Sequence, residues 1–358
     1  MSSDQHGPLN RAKSKVVWID NGSSSRGLVD SLGGQFIDLN LESGLILNAF
    51  QLEEGEKEVS PTKKKLLLGV IESICKEDDA TGVPKREKAL LEQAIADTYD
   101  RCKAGSPTLT DFRKILECHR LPEMKKYADI LYSWTGGTAY GRLLDGQTNI
   151  ELSKPLVAIE VKGLDVYPDL QRVLLLILTE YIMNEASKDP RQRYLLIVDE
   201  IWKVLQNESA AQFIIECYRT MRKFYGGIWG ISQSIKDFMF NPEIAAAIMQ
   251  NTPSRIILKQ RGVDWEEFQN ILSLNSAEVE VVKSLRSEKG KFSEHLFIQD
   301  ENKAILKIEP DPLSYWICTT DPKDKGVIQE FKDKHPGLGH LEVLQKIVEH
   351  QKNEGANN

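Results

Sequence analysis

Tyr194 to Val198 read Tyr-Leu-Leu-Ile-Val, an unbroken apolar run that stops at two adjacent carboxylates, Asp199 and Glu200. A strand without polar alternation is one covered on both faces, the condition of a parallel sheet flanked by helices. The segment PLVAIEV, from Pro155, has the same character, and Gln171 to Glu185 between the two reads as an apolar helix. Beyond the carboxylate pair the pattern continues with a helix from about Glu208 to Phe224, the strand GIWGIS, a short helix from Ser234 and the strand SRIILKQ. Alternation at this spacing predicts βαβ units and a parallel sheet. Near the end, SEHLFIQ and KAILKIE flank the turn residues DEN and predict a β-hairpin, and SYWICTT predicts one more strand.

Ahead of this region the chain opens with a polar leader, then the strand KVVWID ending at Asp20, a turn-forming cluster NGSSSRG, a second strand QFIDLN and the segment LILNAF. From about Pro61 to Gly136 the β-branched runs give way to long charged helical stretches, which predicts an all-helical subdomain. Thr108 and Thr110, just before Asp111, are both candidate caps for the helix FRKILECH. The last residues, KNEGANN from Lys352, read as a frayed tail.

A chain of 358 residues has room for one large α/β domain and a smaller one. Its net charge of -7 gives nucleic acid no general attraction. Five cysteines are scattered without a CxxC pair, which predicts free thiols in a reducing cytosol and no metal site built from them. The amino terminus has no apolar signal-peptide core, and the longest apolar run, Val173 to Leu178, is too short to cross a bilayer. A soluble protein is expected.

Ligands of open α/β sheets gather at the carboxyl ends of the strands, where Asp199 and Glu200 fall. One carboxylate can hold a hydrated Mg²⁺ and an adjacent Glu can orient an attacking water, the Walker B arrangement of nucleoside triphosphatases. An acid that ends a strand as a turn or a helix cap gives the same pattern. The companion phosphate loop, G-x-x-x-x-G-K-[ST], is absent. Its nearest match, Gly22 to Val29, keeps the glycine spacing but has Leu28 and Val29 where Lys and Ser or Thr are needed, so it reads as a flexible turn. Gln233, after GIWGIS, is positioned to touch a γ-phosphate or its water; as a loop residue it would sit beside a capping box of Ser234 and Asp237. Phe213, Ile214, Cys217 and Met221 share one apolar helix face. Arg219 faces the other way and Arg222 lies near the helix end, either to complement the helix dipole or to act on phosphate.

DEIWKVL, RTMRKFYGG and ISQSIKDF, in this order and spacing, resemble the carboxyl-terminal ATPase domain of the TraC/VirB-type motors of conjugative type IV secretion systems. VVWIDNGSS, GGQFIDLN and LILNAF resemble that family's segment after the phosphate loop, and SPTLTDF its helical insertion. The resemblance covers nearly the whole chain after about Lys15. It implies a RecA-like P-loop NTPase core over residues 16–54 and 137–335, lacking its first strand and phosphate loop. A helical insertion at 55–136, a leader at 1–15 and a carboxyl-terminal helix and tail at 336–358 complete the expected organisation.

By this likeness Asp199 is the metal-site acid, Glu200 the catalytic base, Gln233 the phosphate sensor and Arg222 the finger reaching a neighbouring subunit, with Arg219 as runner-up. Lys307, ahead of Asp311 and Pro312, stands where the family's closing strands often carry a cofactor-binding Arg, and Ala49 stands where a Pro is usual. ATP and Mg²⁺ are the implied cofactors. The implied partners are a hexamer of copies or a full-length homologue, and other secretion components. The implied place is cytoplasmic, peripheral at the inner membrane. A chain lacking the phosphate loop is expected to be a truncated or split copy, incompetent alone. The alternatives are a non-enzymatic module docking on the secretion machinery and a DNA-translocating motor of the coupling-protein kind.

Overall fold

The computed structural model describes residues 14–52, 58–75, 82–102, 105–189, 192–201, 215, 217–233, 246 and 248–356. The leader, most of the helix expected from Glu208 (with Phe213 and Ile214) and the Ser234–Asp237 box lie outside the described residues. The chain divides into two compact units, one of residues 1–22 and 37–231, the other of 23–36 and 232–358.

The first unit is built on a five-stranded sheet of order β2-β3-β1-β4-β5. β1 (Ser14–Asp20) is central, β3 (Leu156–Glu160) and β4 (Arg193–Val198) flank it, β5 (Gly226–Gly230) lies outside β4, and β2 (Gln35–Asp38) is the far edge. The pairings β1–β3, β1–β4 and β4–β5 are all parallel. Val17, Ile19, Val157, Ile159 and Leu196 each have no exposed surface, so one face of the three inner strands is fully desolvated, which is what their apolar runs require.

Between β2 and β3 the charged middle of the chain folds into helices α2 (Pro61–Cys75), α3 (Lys85–Arg101), α4 (Leu109–Glu117), α5 (Pro122–Leu131) and the short α6 (Gly141–Leu144). Thr108 is the cap of α4: its hydroxyl accepts from the Asp111 N–H while the Asp111 carboxylate accepts from the Thr108 N–H. Thr110 instead sits inside the helix and bonds to Asp145. The expected apolar helix is α7 (Pro168–Lys188). It meets α2 through a buried ion pair, Lys63 Nζ to Glu180 Oε1 at 2.9 Å, and Asn184 also donates to that oxygen at 2.7 Å.

In the second unit three expectations are corrected. SRIILKQ does form a strand, β6 (Ser254–Leu258), but it pairs antiparallel with β8 (Phe292–Gln299), which also carries the short β7 (Ser287–Glu288) and the hairpin partner β9 (Asn302–Ile308). The alternating spacing predicted where a strand begins and ends but not which neighbour it takes. SYWICTT is not a strand. Its first five residues, Ser314 to Cys318, lie in helix α10 (Pro312–Cys318), which follows α8 (Trp265–Leu272) and α9 (Ser276–Ser284). Asp311 accepts from the Leu313 and Ser314 N–H groups, Pro312 takes the first helical position and Trp316 is buried among α11 (Pro322–Lys334) and α12 (His340–Ala356), so cap and packing override strand propensity. The tail is helical through Ala356 rather than frayed from Lys352.

The segment read as one flexible turn is likewise half helix, because α1 (Arg26–Leu32) begins inside it. A Cβ at Gly27 would lie 2.4 Å from the Ile317 carbonyl oxygen, so glycine there allows α1 to pack against α10.

The Lys63–Glu180 pair generates a stability prediction. Lys63→Met strands a buried carboxylate and lowers unfolding free energy by about 3 to 5 kcal/mol, whereas Lys63→Met with Glu180→Met recovers most of it. Urea denaturation of the two variants measures the difference.

Candidate functional site

Three parallel strands in register deliver their last residues to one edge. Asp20 ends β1 opposite Glu160 at the end of β3, and Ile19 stands opposite Val198, the last residue of β4. The ladder runs one residue further, with Val161 N to Asp20 O at 3.0 Å and Asp199 N to Ile19 O at 3.0 Å. Four carboxylates therefore converge on one side of the sheet: Asp20, Glu160 and Glu200 are buried and Asp199 is half-buried. Asp20 and Glu160 were not singled out from the sequence, although each ends an apolar run just as Asp199 does.

Each carboxylate has a different task. Glu160 accepts from the Gly22 N–H at 3.1 and 3.2 Å through its two oxygens, and from the Lys162 N–H at 2.7 Å, so it staples down the turn that follows β1. Gly22 holds φ +128°, open to glycine and rarely to other residues. Glu200 has φ +52°, a left-handed conformation that costs a non-glycine residue about 1 to 2 kcal/mol. The surrounding backbone holds it there: Glu200 N–H donates to Asp199 Oδ1 at 3.1 Å, Ile201 N–H to Ile231 O at 3.2 Å, and Ile231 N–H to Val198 O at 2.9 Å. Strain held this way clusters at functional sites. Burial pushes the Asp199 carboxyl above its usual range, and the charges of Glu200 and Asp20 add to that, against main-chain N–H bonds from Glu200 and Asn21.

Of the other expected residues, Arg222 lies at the opposite edge of the same sheet. Arg222 is exposed in a 3₁₀ turn, Met221–Phe224, that leads into β5. Gly226 pairs with Tyr194 and Gly230 with Val198, so Arg222 is at the amino edge of the sheet, five residues of strand or roughly 16 Å from the carboxylate pair. Arg219 is exposed on the preceding helical turn. Gln233 and Lys307 belong to the second unit. Gln233 is exposed, while Lys307 pairs with Glu309 and lies 4.6 Å from the centre of the Phe292 ring.

The donor set fits half of a magnesium–nucleotide complex. Among the described residues no group of three or more His, Cys, Asp or Glu side chains could hold a metal ion. A cation at this edge would rest on one or two carboxylates and complete its shell with water and phosphate oxygens, which is the habit of Mg²⁺. The raised Asp199 carboxyl marks an excess of negative charge that a divalent ion relieves. The triphosphate itself finds no grip in Gly22 to Val29. There Leu28 and Val29 lie within α1, Val29 is buried, and neither the lysine nor the hydroxyl is present.

A pH prediction follows from the Asp199 shift. Because its native carboxyl takes up a proton more readily than in the unfolded chain, ionisation at neutral pH costs stability. In chelator-treated buffer Asp199→Asn therefore melts higher than the parent at pH 7. The advantage shrinks as the pH is lowered into the acid range, where the parent carboxyl also becomes neutral. Thermal melts across that range check it.

The fold and this edge can be set beside known proteins. Residues 8–350 match the family model described as the TraG P-loop domain. Protein TraC of Escherichia coli K12 is 26% identical over 254 residues, covering 68% of this chain and 28% of TraC. Type IV secretion system protein CagE of Helicobacter pylori is 22% identical over 368 residues, covering 96% of this chain and 36% of CagE. The chain thus spans about a third or less of the length of these relatives. Among solved structures, VirB4 of Thermoanaerobacter pseudethanolicus superposes with a TM-score of 0.70 at 21% identity, over 84% of this chain and 83% of that one. Plasmid coupling protein TrwB in complex with ADP and Mg²⁺ gives 0.53 at 13% identity, over 83% and 78%. The core is accordingly a RecA-like P-loop NTPase fold with a helical insertion. With the family model matched along nearly its whole length, the chain belongs to the TraG P-loop domain family, and it is similar to TraC and VirB4 proteins.

Proposed function

We propose that this chain is the carboxyl-terminal part of a type IV secretion and conjugal transfer ATPase, which powers pilus assembly and the transfer of DNA or protein by ATP hydrolysis. The observation that carries the reading is the strained Asp199–Glu200 turn at the carboxyl edge of β4, beside buried Asp20. In this reading Asp199 is the Walker B acid that holds Mg²⁺, and Glu200 orients the attacking water and accepts its proton. Gln233 senses the γ-phosphate and Lys307 contributes to nucleotide binding. Mg²⁺, when bound, neutralises charge on the phosphate oxygens. The sequence contains no G-x-x-x-x-G-K-[ST] loop, so the chain turns over ATP only when a phosphate loop is supplied from another segment.

The ADP and Mg²⁺ in the TrwB structure support the choice of cofactors. The secretion-system names of the relatives support the choice of partners, with a hexamer or a full-length homologue as the assembly and the cytoplasmic face of the inner membrane as its place. Among the described residues no helix is long and apolar enough to cross a membrane.

Arg222 is assigned to a neighbouring subunit's nucleotide, since about 16 Å separates it from its own carboxylate pair. An arginine finger in trans is worth roughly 10³-fold or more in rate.

The test is a chimera with a strand, phosphate loop and helix grafted ahead of residue 14. The chain alone is expected to release no phosphate from ATP and the chimera to release it with Mg²⁺. In the chimera, Glu200→Gln lowers turnover by roughly 10²-fold or more with its melting temperature unchanged. Arg222→Ala and Glu200→Gln chimeras, each inactive alone, recover partial turnover when mixed. A folded, nucleotide-binding chimera indifferent to Glu200→Gln would instead favour a non-enzymatic module that docks on the secretion machinery.

A further inference from the structure

Helix α7 carries the chain from the carboxyl edge of the sheet, where β3 ends, back to the amino edge, where β4 begins, as a crossover between parallel strands must. Its last turns therefore lie toward the edge opposite the Asp199–Glu200 pair. Lys15, near the start of β1, feels the charges of Glu185 and Lys188 there. Glu180, Asn184 and Lys188 recur at every fourth residue, with Tyr181 and Glu185 beside them, so one polar face appears late in a largely apolar helix. That face lines a cavity of about 240 Å³ whose walls belong to the first unit alone. Lys63, from the first turn of α2, lines it as well.

The polar groups around this cavity have capacity left over. Lys63 is 8% and Glu180 9% exposed. The Lys63 ammonium has three N–H donors, and among the described residues one is used, toward Glu180 Oε1 at 2.9 Å. Asn184 donates to that same oxygen at 2.7 Å, while Glu180 Oε2 and the Asn184 amide oxygen accept from no described residue. A buried ion pair offsets its desolvation only when its remaining protons and lone pairs are also bonded. Two donors and two acceptors of one buried cluster are thus unmet beside one cavity.

Charge and size select what could meet them. The lining holds two cations, Lys63 and Lys188, and two anions, Glu180 and Glu185, so it has no net charge. A lone anion drawn to Lys63 meets Glu180, and a lone cation drawn to Glu180 meets Lys63. In an α-amino acid the ammonium nitrogen and a carboxylate oxygen are about 3 Å apart, the span of the Lys63–Glu180 pair itself, so a zwitterion laid head to tail against the pair sets each charge on its opposite. Leu47, Ile150 and Ile177, all buried, add aliphatic wall. The volume is below the roughly 300 Å³ at which sites for drug-sized ligands begin, too small for a nucleotide.

We propose that this cavity binds a free α-amino acid with an aliphatic side chain. Its carboxylate accepts from the two spare Lys63 donors, its ammonium donates to Glu180 Oε2 and the Asn184 amide oxygen, and its side chain lies on the aliphatic wall. Lys63 belongs to the helical insertion and Glu180 and Asn184 to the crossover helix of the core, so the ligand braces one on the other. The inference does not depend on the ATPase reading.

The experiment is calorimetric titration of the full chain, without nucleotide, with L-leucine and with its two half-analogues, isocaproate, which lacks the ammonium, and isoamylamine, which lacks the carboxylate. Leucine is expected to bind and to raise the melting temperature, and each half-analogue to bind roughly tenfold or more weakly, the scale of a lost charge-assisted hydrogen bond. The double variant Lys63→Met with Glu180→Met, whose fold is expected to persist, loses leucine binding. Should that variant not fold, Asn184→Leu, which removes one acceptor from a half-buried position, is expected to weaken leucine binding by a similar factor. Half-analogues that bind as well as leucine overturn the proposal, as does leucine binding that survives in a folded double variant or is unchanged by Asn184→Leu. No heat and no melting shift with leucine at about 10 mM also overturns it and leaves water as the occupant. None of these readouts involves turnover, so each result leaves the chimera test of ATP hydrolysis standing.

Discussion

The carboxylate edge depends on the register of β1 between β3 and β4. Parallel strands can be joined only by crossovers, so residues distant in the chain must meet side by side, and the pairing is fixed by desolvating Val17, Ile19, Val157, Ile159 and Leu196 together. A slip of one residue would turn all of these to the opposite face of the sheet. It would also pull Asp20, Glu160 and Asp199 out of line. The hydrophobic register and the position of the charges are therefore one constraint, and the burial of the strands is what holds like charges together at their ends.

Holding them there has a cost that the edge meets unequally. Glu160 satisfies its oxygens with main-chain N–H groups and so becomes structural, fixing the turn at Gly22. Asp199 also accepts main-chain N–H bonds, yet burial and the charges of Glu200 and Asp20 push it above the usual carboxylate range, while Glu200 is held in a left-handed backbone conformation. The unrelieved charge and the backbone strain thus fall on the pair best suited to chemistry.

Much of this was legible in the sequence, for a definite physical reason. Strands buried within the sheet are written as apolar runs, so β1, β3 and β4 could be read directly, and the edge strand β5, the hairpin of β8 and β9 and the Thr108 cap were read as well. What failed depended on partners far away in the chain. β6 looks like any other buried strand, and only its pairing with β8 makes it antiparallel. Residues 312–318 carry aromatic and β-branched side chains that suit a strand, yet Asp311, Pro312 and the burial of Trp316 make them a helix. Asp20 and Glu160 were visible as strand-ending acids but were passed over because neither has an acidic neighbour like Glu200. Their significance lies in register across the sheet, which no local pattern records.

Arg222 illustrates how fold direction limits the reading of a motif. Along the sequence it stands between the carboxylate pair and Gln233, which suggests a shared site. In the sheet, the chain must return from the carboxyl end of β4 to the amino end before β5 can run parallel to it, and Arg222 lies on that return, just before Gly226. Any residue in the last turn before a parallel strand is on the edge opposite the one where the preceding strand ended. A side chain of about 7 Å cannot span roughly 16 Å of strand, so Arg222 does not touch the phosphates that Asp199 of the same chain would serve. A chemical role for it requires that the amino edge of one subunit approach the carboxyl edge of another, and without that approach its charge acts on its own helical turn alone.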